Sequence, residues 1–361
     1  MHNVLVTGGA GFIGSNFVHH LLGGHPEVRV ITLDALTYAG CEENLDSPPN
    51  AENHTFFKGS ILNQPLLDRL FQEHRIDTVV HFAAETHVDR SIYEPRVFLD
   101  TNIVGTYTLL EAARKAWIDE RWVPLGDCRF HQISTDEVFG TLEPNDPPFF
   151  EAQAYAPRSP YAASKASADH FVRSFGHTYG LPFTISNSSN NYGPRQYPEK
   201  LIPLVILNAI EGKQLPIYGD GLQIRDWLYV EDHCRAIVDI LERGTSGSSY
   251  NIGGRNQSTN LEVVQQVCAI LDSLRPDSPV VPHSDLITFV SDRRGHDRRY
   301  AMDTSMIEIE LGWRPIETLD TGLRKTTQWY LEHPEWIAAI EMRPDYREWI
   351  ARNYLERGGS E

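Results

Sequence analysis

Thr135-Asp136-Glu137 puts a hydroxyl and two carboxylates on three consecutive residues. They follow the apolar run Arg129 to Ile133 and precede Gly140, so they sit where a buried strand hands its chain to a loop. Two neighbouring carboxylates resist double ionisation, so one of the pair is held protonated while the other stays ionised. That is an acid and a base side by side. Consecutive residues on a strand face opposite ways. Both reach one ligand only if the chain has left the strand at Asp136. Tyr161 and Lys165 stand four residues apart, which places phenol and ammonium on one face of a helix. A cation about 4 Å from a phenol, at an effective dielectric of ~20, is worth roughly 4 kcal/mol, or about three pKa units. Lys165, together with an oxidised nicotinamide ring, is expected to bring Tyr161 toward neutrality. A phenolate can take a hydroxyl proton while the carbon beneath it is oxidised. The two groups together describe redox chemistry coupled to an elimination.

These residues need a scaffold that holds strand ends together. Short apolar runs alternate with helical spacing: strands are expected at Val4 to Thr7, Val28 to Leu33, Thr55 to Phe57, Thr78 to Phe82, Arg129 to Ile133 and Phe183 to Ile185. Helices are expected at Phe12 to Leu22, Pro65 to His74, Phe98 to Trp117 and Tyr161 to Thr178. This alternation predicts the α/β class, a doubly wound parallel (Rossmann) sheet. Beyond residue 186 the order breaks into short strands and the helices Ile202 to Ile210, Val230 to Leu241, Leu261 to Leu274 and Leu319 to Leu331. The expected division is a dinucleotide-binding Rossmann domain over 1–186, with a return around 226–253, and a smaller α/β substrate lobe over 187–361. Such sheets bind ligands at the carboxyl ends of their strands.

Thr7-Gly8-Gly9-Ala10-Gly11-Phe12-Ile13-Gly14 lies between the first strand and the first helix, and its glycines fit both GxGxxG and GxxGxxG. In that context the pattern marks a pyrophosphate cradle at a helix amino terminus. Asp34 ends the second strand twenty residues after Gly14. A carboxylate there accepts from a ribose diol and repels a 2′-phosphate, so the expected cofactor is NAD.

With 361 residues, 32 Lys and Arg and 49 Asp and Glu, the chain carries a formal charge of −17. That surplus disfavours nucleic acid and anionic membranes as partners. An anionic substrate then needs a local cluster of Arg and Lys. Cys41, Cys128, Cys234 and Cys268 are widely spaced, which predicts reduced thiols, a cytoplasmic setting and no metal site. The start of the chain reads directly as a strand, with no signal peptide, and no apolar run reaches the ~18 residues of a membrane span.

The chain resembles the extended short-chain dehydrogenase/reductases, and within them the dTDP-glucose 4,6-dehydratase family. The likeness rests on TGGAGFIG at 7–14, AAETHVDRS at 83–91, STDEV at 134–138, the Tyr161/Lys165 pair, SNNYGP at 189–194, PEKLIP at 198–203, the segment Gly219 to Trp227, and GHDRRY at 295–300. It implies oxidation of the glucose 4-hydroxyl with Tyr161 as base and Thr135 on the same oxygen. Glu137 then removes the proton on carbon 5 and Asp136 protonates the departing 6-hydroxyl. For the cofactor it implies Gly8, Gly11, Phe12, Ile13, Gly14, Asp34, Ser60, Ile61, Ala83, Thr101, Tyr161, Lys165 and Asn191. For the nucleotide sugar it implies Thr86, His87, Asn190, Lys200, Leu201, Pro216, Tyr218, Arg225, Asn260, Arg293, His296 and Tyr354. A homodimer through the helices Phe98 to Trp117 and Tyr161 to Thr178 is likewise implied. Ala35, Phe139 and Arg294 depart from the family's usual lysine, tyrosine and proline, and Thr86 replaces a serine. Alternatives are a dehydratase of UDP- or CDP-glucose, a nucleotide-sugar 4-epimerase and, in a different class, a non-catalytic NAD-binding regulator.

Overall fold

The structure, a computed structural model, describes residues 1–292 and 297–350. In chain order the strands are β1 (Asn3–Thr7), β2 (Arg29–Asp34), β3 (His54–Lys58), β4 (Thr78–His81), β5 (Arg129–Thr135), β6 (Phe183–Ser188), β7 (Asn190–Tyr192), β8 (Leu215–Tyr218), β9 (Ile224–Tyr229), β10 (Ser249–Ile252), β11 (Gln257–Thr259) and β12 (Ile287–Val290). Seven of them form one sheet in the order β10-β6-β5-β4-β1-β2-β3, every neighbour parallel. Strand order reverses between β1 and β4, so a crevice opens at their carboxyl ends.

The first eight helices are α1 (Phe12–Gly24), α2 (Gln64–His74), α3 (Val88–Tyr93), α4 (Pro95–Phe98), α5 (Thr106–Arg114), α6 (Pro160–Tyr179), α7 (Leu201–Ile210) and α8 (Val230–Arg243), and α1, α2, α5, α6 and α8 flank this sheet. Strand β1 shows why both faces are filled. Leu5 joins an apolar layer with Leu109, Trp117, Phe130 and Val172, while Val4 and Val6 point into another with Phe17, Leu21, Val230 and Ile237. Side chains on a strand alternate, so a strand buried on both sides reads as a continuous apolar run.

The expected helix at 98–117 is longer and less regular. It runs as α4, a π-helical stretch Leu99–Gly105, α5 and a second π-helical stretch Lys115–Asp119. The return to the sheet is narrower than 226–253. Helix α8 packs on α1 and β10 extends the sheet beyond β6, but β9 pairs with β7 and β11 in a separate three-stranded sheet. Helices α9 (Asn260–Leu274), α10 (Ser305–Leu311), α11 (Leu319–Glu332), α12 (Pro334–Glu341) and α13 (Pro344–Ile350) follow. α7, α9, α11 and α12 share a third apolar core with Ile206, Val267, Leu323 and Ile340.

Helix α6 starts cleanly because Ser159 Oγ accepts from Ala162 N at 3.0 Å and Pro160 opens the first turn. It ends at Gly180, whose φ of 74° is left-handed. Between them Gly176 lets the helix lie against β6: a Cβ there would run into the ring of Phe183. Gly176→Ala is therefore expected to cost about 1–3 kcal/mol. Urea unfolding checks it, and an unchanged midpoint would show that Phe183 gives way freely.

Candidate active site

Gly8 leaves β1 at a φ of +71°, and its N–H donates to Leu33 O at 2.8 Å. A Cβ on Gly14 would strike Gly8 O, so loop and helix meet backbone to backbone. Helix α1 has Gly11 as its N-cap, with no side-chain cap and no acidic residue in its first turn. Its amino terminus can thus present backbone donors to an anion. Asp34 Oδ2 accepts from Ala10 N at 2.9 Å and Oδ1 from Leu36 N at 2.8 Å, while burial pushes its pKa up. Each carboxylate oxygen accepts one bond here and has capacity for another. This cradle fits a dinucleotide with a ribose diol.

Across the crevice β5 ends at Thr135. The chain turns into a 3₁₀ segment at Asp136–Phe139, which satisfies the condition that both carboxylates escape the strand. Thr135 Oγ1 accepts from Glu137 N at 3.3 Å and donates to Asp136 Oδ1 at 3.2 Å. Asp136 is 2% exposed. Burial, then the Glu137 charge, pushes its pKa up to about 8, opposed by Thr135 and Arg225. Glu137 is half-buried beside it. The pair is thus split in the sense an acid and a base require.

Lys165 Nζ donates to Ile133 O at 2.6 Å, and burial lowers its pKa to about 8. Tyr161 behaves differently from the expectation. Burial, Glu137 and Asp136 push its pKa up from 10, and the hydroxyls of Thr86 and Thr135 oppose them. Burial is the largest of these influences, and the Lys165 ammonium is bonded to a carbonyl. Lowering this phenol therefore depends on a further positive charge brought by a bound group.

A polar brace fixes the first turn of α6. Asn102, in the π-helical stretch, accepts from Glu85 N at 2.7 Å and donates to Glu85 O at 3.0 Å and to Ser164 Oγ at 2.8 Å. Ser164 Oγ donates to Tyr161 O at 2.7 Å. Thr106 Oγ1 donates to Asn102 O at 2.6 Å, so it accepts from His81 Nε2 at 3.0 Å. His81 Nδ1 then accepts from Thr7 Oγ1 at 2.7 Å. Burial, then Lys165, pushes the His81 pKa down to about 3, consistent with that neutral tautomer.

One cavity runs from the glycine loop to α9. It is lined by every described residue assigned above to catalysis, cofactor or substrate: Gly8 to Asn191 on the cofactor side, Thr135, Asp136, Glu137, Tyr161 and Lys165 at the centre, and Thr86, His87, Asn190, Lys200, Leu201, Pro216, Tyr218, Arg225 and Asn260 beyond. Arg225 is buried, stacks 4.4 Å from the Tyr300 ring and donates to Ile224 O and Asp297 O at 2.8 Å each. Arg293, Arg294, His296 and Tyr354 lie outside the described residues. The sequence reading missed Tyr38 and Glu199, which also line the cavity. Arg90 stacks 3.7 Å over the Tyr38 ring and bonds Glu199 at 3.2 Å. Only the placing of Glu199 inside PEKLIP signalled it. The four cysteines are free and buried. No described helix is long and apolar enough to cross a membrane.

Residues 5–326 match the model of the GDP-mannose 4,6 dehydratase family. The chain is 51% identical to dTDP-glucose 4,6-dehydratase 1 of Escherichia coli (strain K12), over 98% of this chain and 99% of that one. It is 55% identical to the dTDP-glucose 4,6-dehydratase of Neisseria gonorrhoeae, over 92% and 96%. Its fold superimposes on the crystal structure of the Bacillus anthracis str. Ames dTDP-glucose 4,6-dehydratase in complex with NAD, with a TM-score of 0.83, 44% identity, and coverage of 94% and 100%.

Burying Asp136 has a stability cost whose sign is fixed. Its folded pKa lies above the unfolded value near 3.8, so its contribution is intact below pH ~4 and is lost as pH rises through about 8. Asp136→Asn removes the ionisation. Its stability is expected to exceed the parent's by a margin that widens between pH 5 and about pH 8, approaching several kcal/mol at most, and thermal unfolding reads it as a higher midpoint. A margin flat with pH would mean that Asp136 ionises without penalty.

Proposed function

The chain belongs to the dTDP-glucose 4,6-dehydratase family, and on that premise we propose how its residues divide the NAD-dependent dehydration of dTDP-glucose to dTDP-4-keto-6-deoxyglucose. The feature that carries the assignment is the pair at the end of β5: Asp136, buried and driven toward its neutral form, beside Glu137, both within one cavity that also holds Tyr161. The chemistry NAD would supply when bound is a hydride acceptor for carbon 4 and the donor of the same hydride to carbon 6, with no net consumption. The glycine loop and the first turn of α1 hold its pyrophosphate, and Asp34 holds the adenosine ribose. Tyr161 takes the proton of the 4-hydroxyl, with Thr135 bonded to the same oxygen. The resulting ketone acidifies carbon 5. Glu137 removes that proton and Asp136 gives its own to the departing 6-hydroxyl, which leaves as water; after hydride has returned to carbon 6, Glu137 gives the proton back to carbon 5, and the proton gained by Tyr161 balances the one lost by Asp136. Each proton-transfer group is worth on the order of 10²–10⁴ in rate.

The sugar's nucleotide lies toward β8, β9 and α9. Lys200 and Arg225 stand where its diphosphate must be neutralised by a protein of net charge −17. Residues 1–186 with the return of α8 and β10 make the cofactor lobe, and the remainder makes the substrate lobe. The setting is the cytoplasm, in keeping with four buried free thiols. The partner is a second copy. Tyr107, Phe171 and Tyr179 remain 38–46% exposed on α5 and α6, and the rings of Tyr107 and Phe171 are 6.1 Å apart. Two such faces form a four-helix contact that buries them.

Asp136→Asn keeps the shape and loses the acid. It is expected to reduce bound NAD with dTDP-glucose, seen in the nicotinamide absorbance, while ketone product falls at least ~100-fold. Turnover at the parent rate would end the assignment. Incubation with dTDP-, UDP-, CDP- and GDP-sugars is expected to give a 4-keto-6-deoxy product from dTDP-glucose without added reductant. A 4-epimer instead marks an epimerase, and no turnover marks a regulator.

The double variant Tyr107→Glu/Phe171→Glu is expected to sediment as a monomer where the parent sediments as a dimer. An unchanged sedimentation coefficient would move the interface elsewhere.

A further inference from the structure

We propose that Trp336 and Arg343, in the substrate lobe, are positioning residues for the cofactor: hydrogen bonds run from them to the glycine loop and to the turn beside Asp34, so that retention of NAD depends on α12. The proposal rests on the reading that Asp34 and the glycine loop hold NAD. The segment after β2 forms the cavity wall next to Asp34, lined by Thr37, Tyr38, Ala39 and Gly40. It is a tight turn, with Gly40 N donating to Thr37 O at 3.0 Å. A Cβ on Gly40 would meet Asp34 Oδ1 at 2.9 Å, so this backbone lies directly against the carboxylate. Arg343, just beyond α12, grips the turn. Its Nη1 donates to Gly40 O at 2.7 Å and its Nη2 to Thr37 O at 3.3 Å. The planar guanidinium thus holds both carbonyls of one turn in a fixed geometry, which the point charge of a lysine would not impose.

A second tether leaves α12 at Trp336. Its Nε1 donates to Asn44 Oδ1 at 2.7 Å, Asn44 Nδ2 donates to Ala10 O at 2.9 Å, and Ala10 N donates to Asp34 Oδ2 at 2.9 Å. An indole N–H only donates, so it fixes which end of the Asn44 amide faces α12 and leaves the amide nitrogen for the glycine loop. Trp336 and Asn44 are both buried, where a bond left unmade carries the full cost of desolvation. Cys41 N donates to the same Ala10 O at 3.0 Å. The two tethers therefore converge on Asp34, one beside each carboxylate oxygen. Helix α12 is itself anchored: Ile340 is completely buried in the core it shares with Leu323, and the Trp336 ring packs edge-on against Trp329 and Tyr330, with centroids 5.2 and 6.0 Å away. Neither Trp336 nor Arg343 lines the cavity, so their effect on a bound dinucleotide passes through the backbone they hold. A cofactor restored within each turnover has to stay bound between turnovers, which gives such a clasp its use.

The test compares the parent with Arg343→Met, which keeps the stem and loses the fork, and with Trp336→Phe, which keeps a ring and loses the N–H. NAD released by heating is counted per chain, and exchange of bound NAD for labelled NAD is timed in the absence of sugar. Arg343→Met is expected to exchange NAD at least about tenfold faster, and Trp336→Phe about threefold faster. Arg343→Lys is expected to fall between Arg343→Met and the parent. Affinity for dTDP is expected to change less than about twofold, and turnover of dTDP-glucose lost on dilution is expected to return with added NAD. A general loosening of the fold would weaken dTDP binding by the same factor and would overturn the proposal, as would folded variants that exchange NAD at the parent's rate. Trp336→Phe decides the matter if Arg343→Met fails to fold. A parent that holds NAD but leaves dTDP-glucose unchanged would instead overturn the dehydratase reading, and the exchange rates would still decide the roles of Arg343 and Trp336.

Discussion

The bond from the Lys165 ammonium to the Ile133 carbonyl joins α6 to the end of β5, and the rest of the site is arranged around it. Ile133 is two residues short of Thr135. Holding its carbonyl therefore fixes where the strand ends and the acidic turn begins. The same contact fixes where Tyr161 stands, one turn earlier on α6. A buried cation would be expelled or neutralised without compensation. The fold compensates it with the Ile133 carbonyl, and Gly176 lets α6 lie close against β6.

That arrangement makes the cavity an environment of suppressed ionisation. Asp136 is driven toward its neutral form, Tyr161 toward its neutral form, and Lys165 toward losing its proton, with burial the first cause in each case. Asp136 and Lys165 are thereby brought close to the pH at which proton transfer must work. Only Tyr161 is displaced the wrong way in the protein alone.

The dinucleotide side follows a different logic, in which backbone matters more than side chains. Gly8 and Gly14 let the loop and the first turn of α1 close on each other, and Asp34 ties that loop to the end of β2 through Ala10 N and Leu36 N. The brace from Thr7 through His81, Thr106 and Asn102 to Ser164 then links β1 to α6. Cofactor cradle and catalytic helix are thereby held in one register across the switch point of the sheet.

Local patterning was enough for most of the sheet and for locating the candidate site. Apolar runs located β1 to β5 within a residue or two and β6 within three, and helical spacing located α1, α2 and α6 to α9, because period and turn signals are local. The glycine loop, Asp34, the Asp136/Glu137 pair and the Tyr161/Lys165 spacing were legible for the same reason: each is a short motif whose members are close in the chain. What the order of residues could not reveal lies in pairs far apart in sequence. Arg90 over Tyr38 and against Glu199, Asn102 against Ser164, and the departure of β9 into a second sheet have no local signature. The protonation states belong to the same class. Two adjacent carboxylates announce that one must be raised, but only burial selects Asp136. Four-residue spacing announces that Tyr161 and Lys165 share a face, but only the packed interior determines that the ammonium turns to Ile133 and that the phenol's pKa rises. Desolvation is a property of everything around a group, and no stretch of chain contains it.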